Sequence, residues 1–181
     1  MSPLKFSAVL LSMFVIASSA HAQTVSSADI PPSFKNSLQQ MLSGYLALKD
    51  ALLLGDTRQA GKEAVELNDE AKKVNTGGLK KDQLAAFNKQ NEKILHNTEH
   101  IRDNATNYDH QCEHFDYLTD EFYALLKSFN FNSSTVYYNY TKEGNEGNSA
   151  HWLTDKDEMK NPYFKGATKS GDKRIEVIKN R

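Results

Sequence analysis

The chain has 181 residues and a formal charge of −1, which suits one domain with a real core and excludes a strongly basic nucleic-acid-binding protein. Its single cysteine, Cys112, excludes an internal disulfide.

Residues 1–22 read as a secretory signal. Lys5 supplies the positive start, Ala8 to Ile16 the apolar run, and Ala20-His21-Ala22 a small-x-small cleavage site. The run is too short for a membrane span, and no second one follows. The expected product begins at Gln23 and is exported, periplasmic or secreted, and soluble. Loss of Lys5 moves its formal charge from −1 to −2. Residues 23–32 read as a flexible polar arm. Ser33 then caps a first helix with Leu38, Met41, Leu42, Tyr45, Leu48 and Leu52 on one face. Gly55 ends it. Asp56 caps a second helix whose apolar side, Ala60, Ala64, Leu67, Ala71 and Val74, is mostly alanine and admits a close neighbour.

The "NTGG" at 75–78 is a break. A third helix spans about 80–104, with Leu84, Phe87, Ile94, Thr98 and Ile101 on one side. Asn107 caps a fourth, carrying Tyr108, Phe115, Leu118, Phe122, Leu125, Leu126 and Phe129. Short turns between four amphipathic helices predict an all-α, up-down-up-down four-helix bundle with an irregular C-terminal cap, spanning 33–171. Beyond Asn130, "STVYYNYT" reads as a short strand or extended segment and "KEGNEGNS" as a loop. Thr154 caps a single helical turn that "NPYF" stops, and residues 172–181 read as a loose polar tail. Trp152, the only tryptophan, is expected to pack with Tyr163 and Phe164 as an ordered cap.

Two histidine pairs, His96/His100 and His110/His114, flank the turn between the third and fourth helices. Helical phase places His96 and His100 roughly 140–180° from their helix's apolar stripe, toward solvent. His110 is about 115° off its stripe, and His114 and Cys112 flank it at about 80° on opposite sides. A four-histidine core site is therefore not expected. Covalent haem is excluded by the lack of C-x-x-C-H. No nucleophile elbow, phosphate loop, H-E-x-x-H or calcium loop is present, so no enzyme is expected. Cys112 reads as a free, partly buried thiol.

Three segments carry a family resemblance: "YLALKDALLLGDTRQAGKEA", "QCEHFDYLT" and "GNSAHWLTDKDEMKNPYF". From about Phe34 to Gly171 the chain resembles a family of bacterial exported domains of unknown function. They are found alone or attached to periplasmic adaptor subunits of copper and silver efflux systems. The resemblance implies a sulfur-rich metal site, since family members carry C-P-M and M-x-x-C-G motifs beside the fourth-helix histidine, and such soft ligands select Cu(I)-type ions. Here Thr141, Lys142 and Glu143 stand at the first motif, and Ala167 and Ser170 at the second. His114 remains, with Cys112 and His151 as further candidates.

Two expectations follow. One is a non-catalytic module that binds a protein partner, such as an efflux adaptor component, with no cofactor and a degenerate metal site. The other is a copper-type metal-handling protein with a reduced site around His114. In the first, His114 is structural and bonds the aromatic tail.

Overall fold

The computed structural model describes residues 30–131, 133–145 and 147–179. The signal segment and residues 23–29 of the expected arm lie outside the described residues. Four helices follow one another: α1 (Pro32–Leu53), α2 (Thr57–Lys72), α3 (Lys81–Asp103) and α4 (Tyr108–Ser128). Each packs on the next in sequence.

The helix boundaries follow local chemistry. α1 starts two residues earlier than expected, with Pro31 rather than Ser33 at the cap position and Pro32 at the first helical one, where a missing N–H costs nothing. Ile30 before it is buried, so the end of the arm is anchored. Gly55 terminates α1 at φ +67°, a left-handed conformation open to glycine without strain. Asp56 Oδ1 accepts the Gln59 N–H at 2.9 Å, and Asn107 Oδ1 accepts that of His110 at 3.2 Å, so both caps stand as read.

The core lies between the helices. Tyr45 of α1 stacks on Phe115 of α4 with ring centres 5.2 Å apart and meets Phe122 at 4.9 Å. Phe87, Ile94, Ile101 and Leu118 are buried with them. The small side of α2 works as expected, with Ala60, Ala64 and Ala71 buried.

The C-terminal third corrects the all-α expectation. It forms a three-stranded antiparallel sheet in the order β2-β1-β3, from β1 (Val136–Asn145), β2 (Asn148–Thr154) and β3 (Lys173–Ile178). The chain is a mixed α+β domain. The expected loop at 142–149 is a hairpin whose strands run on into it, turning at Gly147 with φ +85°. The expected loose tail contains β3. In "KRIEVI" only Arg174 to Val177 alternate polar and apolar, a pattern too short and charged to register as a strand until a partner lies beside it. The expected helical turn after Thr154 is also corrected. Thr154 Oγ1 instead accepts the Lys156 N–H at 3.2 Å, and the short helical turn falls on Pro162–Phe164. There Asn161 caps the turn by accepting the Tyr163 N–H at 2.9 Å.

The sheet docks on the bundle through the edge of β2. The backbone N–H of His151 donates to Asp116 Oδ1 at 2.9 Å, and that of Leu153 to the Tyr45 hydroxyl at 3.1 Å. Pairing these groups removes an open strand edge. Trp152 is fully buried and Tyr163 nearly so, their ring centres 6.4 Å apart; Phe164 is partly buried against the core. Among the described residues, no helix is long and apolar enough to cross a membrane.

Candidate metal centre

The cluster arises where the end of α3 meets the start of α4. His96 and His100 lie one turn apart on α3, and His110 and His114 one turn apart on α4. The rings of His100 and His114 stack with centres 4.2 Å apart; His110 meets His114 at 4.7 Å, and His96 meets His100 at 4.5 Å. One nitrogen from each of His100, His110 and His114 lies within 4.8 Å of the others. This corrects the expectation that His100 faces away into solvent; His96 is exposed as expected, although its ring lies against that of His100. The cluster sits on the rim of the helix interface: His114 is buried, His100 and His110 are partly exposed, and His96 is exposed.

Two of the rings are held by their second nitrogens. His114 Nδ1 lies 3.0 Å from Asn97 Oδ1 on α3. The Asn97 amide donates to the Lys93 carbonyl at 3.0 Å, so its oxygen is the atom facing His114, and His114 Nδ1 carries the proton. Its Nε2 keeps a free lone pair. His110 Nδ1 lies 3.3 Å from Glu113 Oε2, an arrangement that also leaves Nε2 free. Oxygen partners on the far nitrogen orient the imidazole and raise its basicity in metal sites. Burial, followed by the neighbouring His100 and His110, lowers the His114 pKa from 6.5 to about 4. The ring is therefore neutral at physiological pH, the form that binds a metal.

The three candidates read from the sequence do not form one site. His114 joins the histidines. His151 stands on the sheet side of α4, its Nδ1 3.4 Å from Asp120 and 3.9 Å from Asp116. Its ring stacks on Tyr138 at 5.1 Å. The hydrogen bond to Asp120 raises its pKa, so its protonated form is favoured. Asp116, His151 and Asp120 satisfy one another as an ion-paired latch. Cys112 is buried beside Tyr108 and lines a small cavity with Tyr163 and Phe164. Burial pushes its thiol up to about 12, away from the thiolate that ligates metals. The bond expected between His114 and the aromatic tail is also corrected, since its partner is Asn97.

The residues present do not fit the sulfur site implied by the resemblance. Its motif positions hold Thr141, Lys142, Glu143, Ala167 and Ser170, none of which offers sulfur. The donor set that does converge is nitrogen. Sequence reasoning missed Asn97, His96, His100 and His110 as parts of one cluster. Two H-x-x-x-H pairs on either side of a nine-residue gap were the available signal.

Residues 41–134, just over half of the chain, match the family described as "Protein of unknown function (DUF3347)". The match takes in most of α1, all of α2–α4 and every histidine of the cluster, and it ends before the sheet. No curated protein and no solved structure matches the chain.

Proposed function

Since the chain belongs to the DUF3347 family, whose description carries no function, we propose a reading from its own side chains. It is a non-catalytic metal-binding domain that holds one divalent transition ion, such as Cu2+ or Zn2+, between α3 and α4. The observation that supports it is the convergence of His100, His110 and His114 within 4.8 Å, with Nδ1 of two of them already engaged by oxygen. Neutral imidazoles suit Cu2+, Zn2+ and Ni2+, whereas Cu(I) is selected by thiolate and thioether. The ion would join two helices at their shared turn and stabilise the folded state by mass action.

The N-terminal pattern supports an exported location for this activity. The resemblance to efflux-associated domains supports a setting in envelope metal handling, where an adaptor component exchanges the ion with this domain. Neither needs a reaction at the site.

The test is titration of the purified protein with Cu2+ and Zn2+, and with Cu(I) under reductant. The expected result is one tightly held divalent ion, weakened at least a hundredfold in His100→Ala and His114→Ala, and much weaker Cu(I) binding. Divalent affinity unchanged in both variants would overturn the proposal.

A further inference from the structure

The three converging histidines leave His96 aside, although its ring centre is 4.5 Å from that of His100 and 6.3 Å from that of His114. We propose that ion binding recruits His96 as a fourth ligand, turning a three-imidazole cleft into a four-imidazole shell. The inference rests on the metal-binding reading above and names what that site takes: a divalent ion that accepts four nitrogen donors and no sulfur.

The first support is freedom. His114 and His110 are each held through Nδ1. Among the described residues no hydrogen bond holds a nitrogen of His96. Its ring borders an open cleft of about 550 Å³ lined also by Lys89, Glu92, Lys93 and Glu99, so the side chain has room to turn.

The second support is coordination chemistry. A tetrahedral ion at about 2.0–2.1 Å from each imidazole nitrogen draws its donors to about 3.3 Å of one another. Ligand atoms now up to 4.8 Å apart must therefore close in, and the α3 side of that movement is the turn that also carries His96. Three imidazoles leave both common geometries incomplete, since a closed Zn2+ site takes four ligands and tetragonal Cu2+ takes four in its plane.

The third support concerns rivals: Glu99, which borders the same cleft, pairs with Lys72 at 3.9 Å. Glu113 is engaged by His110. Asp103 is bound by the Arg102 guanidinium at 2.7 and 3.1 Å. Cys112 and His151 belong to other neighbourhoods.

The experiment is Cu2+ titration with paramagnetic resonance on wild type, His96→Gln and His100→Ala. Each replacement keeps a helix-compatible residue at a position that is exposed (His96) or partly exposed (His100). The expected spectrum shows four equatorial nitrogens in wild type and three in His96→Gln, with affinity lowered about tenfold or more in that variant. A wild type that binds Cu2+ with three nitrogens, and a His96→Gln protein indistinguishable from it, overturns the fourth ligand while leaving the three-histidine site. Binding indifferent to His100→Ala as well overturns both.

Discussion

Helix α4 carries two histidine neighbourhoods in opposite electrostatic conditions. On the side facing α3, His114 sits among other imidazoles with an amide oxygen behind it and is held neutral. On the side facing the sheet, His151 sits between Asp116 and Asp120 and is held toward its charged form. The first keeps free lone pairs, because its carboxylate, Glu113, engages His110 only through Nδ1. The second spends its imidazole on an ion pair that fastens β2 to the bundle. The same residue type is ligand-ready in one place and a latch in the other, and the difference lies in what the neighbouring element presents.

The largest expected separation comes from Trp152→Ala. Emptying this fully buried site should cost about 3–5 kcal/mol in denaturant unfolding, while ion affinity at the histidine cluster stays as in wild type. Loss of affinity in the folded variant would merge the two regions into one unit.

Ion binding should separate them next. Zn2+ at about a hundredfold excess over its dissociation constant should stabilise wild type by about 2.7 kcal/mol. His151→Ala should gain as much and His100→Ala nothing, measured as shifts in the unfolding midpoint. Equal loss in His151→Ala would place the ion at the latch.

Asp116→Ala probes the latch itself. It orphans the inward-facing N–H of His151, which should cost about 1–3 kcal/mol. Asp116→Asn keeps an acceptor oxygen and should cost clearly less. Equal costs would mean that the charge, not the backbone hydrogen bond, fastens the strand.

The smallest effect is in the pH profile of the ion-free protein. The His114 pKa is lowered from 6.5 to about 4, so the unfolded chain takes up this proton first and stability should fall as pH drops through that window. The groups facing His114 are His96, His100, His110, Glu113 and Tyr117. His151 has a raised pKa, so its contribution is full below 6.5 and is lost as pH rises through its folded value. The groups facing it are Asp116, Asp120, Tyr138 and Tyr140. His114→Gln should flatten the acid limb and His151→Gln the limb above it, read by chemical denaturation across pH. Both variants flattening the same limb would end the contrast.

How much was legible in advance follows the range of the forces involved. The caps at Asp56 and Asn107, the stop at Gly55 and the apolar faces of four helices, apart from the exposed Leu84, are set by residues within a turn or two of each other. Sequence alone was therefore enough to place them, and enough to require burial of Trp152. The sheet was not legible in full. β3 takes its hydrogen bonds from β1, more than thirty residues away, and "KRIEVI" has little local preference without it. The histidine cluster was missed for a related reason. A helical phase angle is measured from a helix's own apolar stripe and does not say on which flank the next helix will lie. His100 is far from the α3 stripe, yet α4 packs on that flank and brings His110 and His114 against it, while His96 stays exposed one turn away. Separating Cys112 and His151 from His114 also needed all three dimensions, because each faces a different neighbour of α4. The sequence by itself determined the elements and the supply of donor atoms. The tertiary structure decided which donors meet, because that depends on contacts between segments that share no local constraint.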